Sequence, residues 1–531
     1  MNCARQLIQL LEAYGVDTAL GIPGVHTIEL YRALDQSHLT HVTPRHEQGA
    51  GFMADGYARA SGKPAACFIV TGPGMTNIAT AMGQALADSV PMLVISSVNP
   101  RHTLGRGQGR LHEMPHQSET LAGVSLFSHS LHDPAALPEV LARAFAVFAS
   151  ARPGPVHIEI PLDIMVAPAP EGQAAPARVF PPAPTPEALA LAGDWLSGAE
   201  RPLVLLGGGT ADAPEAARAL VERLDAPAFT TINAKGVLGQ DYPLDLGATM
   251  SLPAARRLAV EADVVLAVGT EIGETDYDLD ADDGFRLDGK LIRIDIDPEQ
   301  LGRNQEADLA ILAEAGQAMR GLTERLPKAA ARDGAERATT VRRALALAED
   351  PELAPYVPLF DTLRNALPEA IVVGDSTGPV YAGNFLASMP APRRWFNAAT
   401  GFGTLGYGLP AALGAALARP ELPVIALVGD GGLQFVLGEL GTARDLGRPV
   451  AVVIWNNDGY DEIRRYMSLS AVPHLGVDLT APDFPALASA YACRHISVTE
   501  PASLTDALGQ LDEANSPLII EIDAAAWSTS L

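Results

Sequence analysis

The sequence predicts an α/β protein of three domains, each a doubly wound parallel sheet. Two observations carry that expectation. Continuous apolar runs of strand length alternate with helix-length segments almost from end to end. Two stretches then break the rhythm and leave parts of ordinary domain size.

In chain order the runs are ACFIVTG, PMLVISS and VHIEIP, then RPLVLLGGG, DVVLAVG and LIRIDID, then AIVVGDS, VIALVGD, PVAVVIWNN and PLIIEID. A strand covered by helices on both faces reads as an unbroken apolar run, which is the mark of a parallel sheet. Several runs end in Gly, Asp or Asn, and open parallel sheets bind ligands at those carboxyl ends. Residues 166–186, VAPAPEGQAAPARVFPPAPTP, are dominated by Pro and Ala and predict an extended linker. Residues 327–355 carry no strand pattern and predict a helix plus linker. The expected domains are therefore 1–165, 187–326 and 356–531.

At 531 residues the chain exceeds what one hydrophobic core organises. With 37 Lys and Arg against 63 Asp and Glu, its formal charge is −26. Such a field repels phosphate backbones, so no nucleic-acid partner is expected, whereas a cationic substrate would be attracted. Cys3, Cys67 and Cys493 are too scattered for a disulfide framework or a zinc site. The opening MNCARQLIQLLEAYG reads as an amphipathic helix rather than a secretory signal. No apolar run reaches the ~18 residues that span a bilayer. A cytoplasmic protein with no membrane partner is expected.

The most specific chemistry lies in the third domain. VIALVGDGG, residues 424–432, and VVIWNNDGY, residues 452–460, are buried strands joined by a helix-length segment. They bring Asp430 and Asn457 to one sheet edge. Few, hard oxygen ligands suit Mg²⁺, which keeps its other positions for phosphate oxygens and water. Gly431 and Gly432 allow backbone N–H groups to approach phosphates, and a helix opening after Gly432 would add its positive end. An Asp-Gly turn alone is more often only a turn. The pairing with Asn-Asn at a separation of 457 − 430 = 27 residues decides otherwise. It resembles the signature of the thiamin-diphosphate-dependent family that includes acetolactate synthases and pyruvate decarboxylases. The resemblance implies Asp430, Asn457 and the Gly459 carbonyl as metal ligands, with Tyr460 beside the cofactor.

Residues 41–59, HVTPRHEQGAGFMADGYAR, resemble the family's RHE-x-x-A-x-x-x-A-x-G-Y-A-R stretch. Glu47 then corresponds to the carboxylate that bonds the cofactor's pyrimidine N1′. That bond favours the imino tautomer able to take the proton from thiazolium C2. Read without the family, Glu47 is a helix residue paired with Arg45 or Arg59. GFGTLGYGLPAALGAAL, residues 401–417, resembles the GxGTMGxGLPAAIGA segment, with Leu405 as the wedge between the two rings and the Gly403 carbonyl facing the amino group. Ser376 and Thr377 end another strand beside the diphosphate. TGPGMTN, residues 71–77, resembles the segment beside the pyrimidine and implies roles for Thr71, Gly74 and Asn77.

The resemblance covers nearly the whole chain in the order pyrimidine-binding, central and diphosphate-binding domain. It implies thiamin diphosphate and Mg²⁺ as cofactors, a small 2-oxo acid as substrate, and a homodimer at least, extending to a homotetramer. In the loop GIPGVHTIELY, residues 21–31, Val25 and His26 stand on the substrate side, and His26 is a candidate proton donor or a core histidine. Gln117 resembles the synthases' active-site Gln. The adjacent histidine pair of pyruvate decarboxylases is absent, although His112 and His116 lie nearby. Glu271 occupies the place of an Arg that holds FAD in acetolactate synthases, so FAD is not expected. Asp461 and Glu462 follow the second metal strand where family members contact the substrate tail. Paired carboxylates suit a guanidinium, and this pattern most resembles 5-guanidino-2-oxopentanoate (2-ketoarginine) decarboxylases. Internal pairing with Arg464 or Arg465 is the alternative. A carboligase joining two 2-oxo acids or aldehydes is the rival reaction. A non-catalytic relative of the fold is disfavoured by the presence of Glu47 and the metal pair.

Overall fold

The structure, a computed structural model, describes residues 1–170, 176–280, 284–327, 332–511 and 516–530. Part of the expected linker, residues 171–175, lies outside these; from 176 to 185 the chain carries neither helix nor strand.

Three parallel sheets account for the apolar runs. The first joins β1 (Thr18–Gly21), β2 (Thr40–Val42), β3 (Ala66–Ile69), β4 (Met92–Val98), β5 (Phe127–Ser130) and β6 (Pro155–Pro161) in the order β2-β1-β3-β4-β6-β5. The second joins β7 (Pro202–Leu206), β8 (Ala228–Thr230), β9 (Val264–Val268), β10 (Lys290–Asp295) and β11 (Leu309–Leu312) in the order β11-β10-β9-β7-β8. The third joins β12 (Ile371–Gly374), β13 (Trp395–Asn397), β14 (Val424–Gly429), β15 (Val450–Asn456), β16 (Arg494–Val498) and β17 (Leu518–Asp523) in the order β13-β12-β14-β15-β17-β16. The strand order reverses between β12 and β14, the kind of place where open sheets open a binding crevice. Central strands such as β4, β6 and β14 are buried along their whole length, as their unbroken apolar sequences require.

By its internal packing the chain forms two compact units. One comprises Met1–Val179, Ala370–Val380 and Asn397–Leu531, the other Phe180–Glu369 and Tyr381–Phe396. The expected third domain began at 356, yet residues 356–369 and 381–396 pack with the second unit. Contacts with the central residues explain this: Lys235 Nζ donates to the Ala387 carbonyl at 2.9 Å, Arg393 pairs with Asp212 at 2.7 Å and Arg364 with Asp241 at 3.8 Å, while the Phe360 and Trp395 rings, 5.8 Å apart, tie the two segments together. Within the first unit, helix Glu47–Ser61 lies on helix Gly408–Ala418. A Cβ on Gly56 would run into the Ala411 carbonyl, and one on Gly414 into that of Met53. The small residues of both motifs thus let two backbones touch.

Among the described residues no helix is long and apolar enough to cross a membrane. All three cysteines are free thiols.

Candidate active site

Asp430 and Asn457 meet at the ends of β14 and β15, which pair from Val424↔Val450 to Gly429↔Trp455. The Asp430 side chain is fully buried. Its carboxylate accepts the Gly459 N–H at 3.0 Å and the Asn457 N–H at 3.4 Å. Burial pushes its pKa up, and these backbone donors pull it back. The Asn457 amide oxygen stands 3.0 Å from Asp430 Oδ1 and 3.1 Å from the Gly459 carbonyl oxygen. Three oxygens edge to edge repel one another. Turning the amide over would place its NH₂ group among them; a cation among them would satisfy all three as they stand. Ligands at right angles on an ion with Mg–O bonds of 2.0–2.1 Å lie about 3.0 Å apart. Both separations therefore suit neighbouring positions on a magnesium octahedron, with the other positions left for phosphate and water.

The expected helix after Gly432 begins earlier. It runs Asp430–Leu433, passes into a 3₁₀ turn at Gln434–Val436 and resumes at Glu439–Leu446. What the segment offers a phosphate is mainly its glycine backbone. Gly431 packs under the Tyr460 ring, and a Cβ on Gly432 would stand 3.3 Å from the Asp375 carboxyl carbon. Asp375 is fully buried and accepts from Ser376 N at 2.8 Å and Gly408 N at 3.2 Å, while burial pushes its carboxyl pKa up to about 6. It joins the end of β12, with Ser376 and Thr377, to the turn that carries Gly403 and Leu405. Sequence reasoning noticed the Gly-Asp-Ser-Thr turn and passed over this aspartate, because a buried acceptor of backbone N–H groups carries no motif. Gly403 has φ +71°, with open space where a Cβ would be, and Leu405 is half-buried. An exposed backbone there is consistent with a carbonyl offered to a ligand.

Glu47 is the first residue of helix Glu47–Ser61, capped by His46, whose Nδ1 accepts from Gln48 N at 3.1 Å. It is half-buried, and its Oε2 accepts from Asn77 Nδ2 at 3.0 Å. Gly74 leaves room for Oε1, which a Cβ would meet at 3.3 Å. The alternative pairing with arginine does not occur: Arg45 pairs with Asp445, and Arg59 with Asp55 at 2.6 Å and Asp88 at 2.7 Å. Glu47, Gly74 and Asn77 therefore form one group.

Three family profiles match the chain: the thiamine pyrophosphate enzyme N-terminal TPP binding domain over residues 1–120, the central domain over 189–322, and the C-terminal TPP binding domain over 373–522. A probable 2-ketoarginine decarboxylase of Pseudomonas aeruginosa is 46% identical over 513 residues, 95% of this chain and 90% of that one. The acetolactate synthase large subunit of Parasynechococcus marenigrum is 33% identical over 98% of this chain and 87% of its own. The isozyme 1 large subunit of Escherichia coli is 32% identical over 88% and 83%. The chain belongs to the thiamin-diphosphate (thiamine pyrophosphate) enzymes. Its three sheets are the three domains of that family, and the chemistry it shares with its relatives is that of decarboxylases and carboligases.

Beyond β1 of this thiamin-diphosphate enzyme, the structure pairs two histidines that are far apart in sequence. His26 Nδ1 and His112 Nδ1 are 3.2 Å apart, with ring centroids 5.1 Å apart. Burial, then the neighbouring His112, lowers the pKa of His26. The two histidines meet because the loop carrying His112 folds back over Gly72. Val25 beside it is 62% exposed.

Gln117, matched to the active-site Gln of the synthases, is engaged by the protein at both ends. It is buried, its Oε1 accepts from Thr71 Oγ1 at 2.7 Å and Gly72 N at 3.1 Å, and its Nε2 donates to Ser97 O and Glu159 Oε2, each at 3.0 Å. With both ends engaged by protein, it is a strut that fixes the Thr71–Gly72 turn. Asp461 and Glu462 open helix Asp461–Leu469 and pair with Arg464 and Arg465, each at 2.8 Å, so the internal pairing is the one the fold contains. Both pairs are solvent-facing. Glu271 is exposed in the turn after β9.

Proposed function

We propose that this enzyme decarboxylates a 2-oxo acid whose side chain ends in a cation, with 5-guanidino-2-oxopentanoate as substrate and 4-guanidinobutanal and CO₂ as products. The observation that carries the reading is Asp461-Glu462, set four and five residues beyond Asn457, in a chain 46% identical to a protein named as a probable 2-ketoarginine decarboxylase. Arg465 is an exposed neighbour one turn from Glu462, and such pairs contribute only ~0–1 kcal/mol, while Arg464, partly buried, divides itself between Asp461 at 2.8 Å and Asp478 at 2.9 Å. A planar guanidinium making two parallel charge-assisted bonds competes well against that.

Bound thiamin diphosphate supplies an electron sink for the pair left behind as CO₂ departs. In this reading Asp430, Asn457 and the Gly459 carbonyl hold Mg²⁺, while Gly431, Gly432, Ser376, Thr377 and Tyr460 line the diphosphate. Leu405 and Gly403 set the rings, and Thr71, Gly74 and Asn77 line the pyrimidine. Glu47 holds a proton at the pyrimidine nitrogen. His26 delivers the proton that replaces CO₂ on the substrate carbon, and His112 fixes the tautomer that lets it do so. Glu271, a carboxylate where a pyrophosphate would need a cation, supports a central domain without FAD. A cytoplasmic homodimer, extending to a homotetramer, completes the proposal on family resemblance.

The acetolactate synthase relatives favour one second reading, carboligation. Product analysis separates the two. Equimolar CO₂ and aldehyde from the guanidino acid support decarboxylation, whereas acetolactate from pyruvate with no turnover of the guanidino acid would replace it.

A further inference from the structure

Glu439 lies at the start of helix Glu439–Leu446, only 1% exposed, and no cation neutralises it at salt-bridge distance among the described residues. Its Oε1 accepts the backbone N–H of Arg45 at 3.0 Å and of His46 at 3.1 Å, and its Oε2 accepts Thr442 Oγ1 at 2.6 Å. Burial pushes its carboxyl pKa up, and these donors oppose the shift. The two backbone donors are the residues immediately before Glu47. A Cβ on Gly49 would run into the Glu439 carboxylate, so the glycine two residues after Glu47 is the space in which that carboxylate sits. The Arg45 side chain crosses the same helix: a Cβ on Gly441 would meet Arg45 Nε at 3.1 Å, and Arg45 pairs with Asp445.

We infer that Glu439 is a positioning residue for the reaction, pinning the Arg45–His46 turn so that Glu47 enters its helix at the place where it meets the pyrimidine. The inference rests on the role proposed for Glu47. The physical reason is specific. A half-buried glutamate at the first position of a helix is placed by the two residues before it, and their N–H groups have no helical partner. One side-chain oxygen that accepts both ties the two residues to a single point. The anchor comes from the segment that begins with Asp430, so the metal clamp and the Glu47 turn of one chain are held by the same short stretch.

The test compares Glu439→Ala, Glu439→Gln and Thr442→Val with the parent and with Glu47→Gln. The first readout, on the cofactor-free chain, is amide hydrogen exchange over residues 41–50. The second, on the holoenzyme, is exchange of the thiazolium C2 proton beside thiamin diphosphate affinity. Expected are loss of protection at Arg45 and His46 in Glu439→Ala and C2-proton exchange slowed about ten- to hundredfold, the factor that goes with a lost bond to a charged group. Cofactor affinity should stay within about threefold, because the metal oxygens are untouched, and Glu439→Gln, which keeps an acceptor in place, should recover most of the rate. Thr442→Val, which frees only Oε2, should give a smaller loss in the same direction. Unchanged C2-proton exchange in Glu439→Ala, or equal losses of rate and affinity in all three variants, overturns the inference. If Glu439→Ala fails to fold, Thr442→Val and Glu439→Gln decide it: slowed against near-normal exchange supports it, and normal exchange in Thr442→Val overturns it. Unchanged exchange in Glu47→Gln would instead reject the role of Glu47 itself.

Discussion

His26 and His112 face each other through their Nδ1 atoms at 3.2 Å, so one of the two rings must carry the shared proton. A histidine held this way presents its other nitrogen in a fixed tautomer. Replacing His26 with Ala should lower kcat by about 10²–10³, in the range for losing a positioned proton donor. Replacing His112 with Ala should do less to kcat at the optimum. It should move the alkaline limb of the rate profile to higher pH, because His26 gives up a proton only below its pKa and part of what lowers that pKa is then gone. A profile unchanged in position after loss of His112 would show that the pair has no part in proton delivery.

Asp430→Asn and Glu47→Gln should fail differently. Asp430→Asn leaves a neutral amide where a divalent ion needs charge. The apparent affinity for thiamin diphosphate with Mg²⁺ should then fall by about a hundredfold, read by thermal shift or calorimetry. Glu47→Gln should keep that affinity and lower kcat by orders of magnitude. Equal affinity losses in the two variants would contradict the division of labour between clamp and pyrimidine site.

The tail site makes a prediction about substrates. Asp461→Asn with Glu462→Gln should raise KM for 5-guanidino-2-oxopentanoate about ten- to hundredfold, the cost of two charge-assisted bonds. KM for an unbranched aliphatic 2-oxo acid of the same length should change little. If both rise together, these carboxylates support the helix and do not select the substrate.

His157 lies between Ser96 Oγ at 2.8 Å and Ser128 Oγ at 2.7 Å, and burial pulls its pKa from 6.5 down to about 3. A histidine kept neutral in the fold binds fewer protons than it does unfolded. Its stabilising contribution is intact above pH 6.5 and is lost as the pH falls from there towards 3. The loss is about 1.4 kcal/mol per pH unit. Chemical denaturation at pH 7 and pH 5 should therefore show a drop in the parent larger by about 2 kcal/mol than in His157→Gln. Identical drops would mean that this buried imidazole does not set the acid sensitivity.

Much of this was legible in the chain. Every long apolar run is a central or near-central strand, because a strand covered on both faces can hold little polar side chain. β5 (FSHS), β8 (AFT), β11 (LAIL), β13 (WFN) and β16 (RHISV) escaped detection. Each lies at a sheet edge and is short, and β5 and β16 keep polar residues that face partly open surroundings, so period and composition both fade. β1 (TALG), although interior, sits between Asp17 and a Gly-Ile-Pro-Gly turn and so carries no apolar run. The clamp and the Glu47 turn were visible because their chemistry fixes residue types at fixed spacing. Asp375, Glu439 and His112 were not, because each acts through a contact across a long sequence interval. Gln117, matched in sequence to an active-site residue, also carries a hydrogen-bond network that only the folded chain shows.

The central claim is cofactor-dependent decarboxylation with selection for a cationic tail. Its most direct test is CO₂ release from 5-guanidino-2-oxopentanoate, compared with 2-oxopentanoate and pyruvate, each with and without thiamin diphosphate and Mg²⁺. Release that requires both cofactors, with the highest kcat/KM for the guanidino acid, is the expected result. Release independent of the cofactors, or a preference for pyruvate over the guanidino acid, would contradict the account.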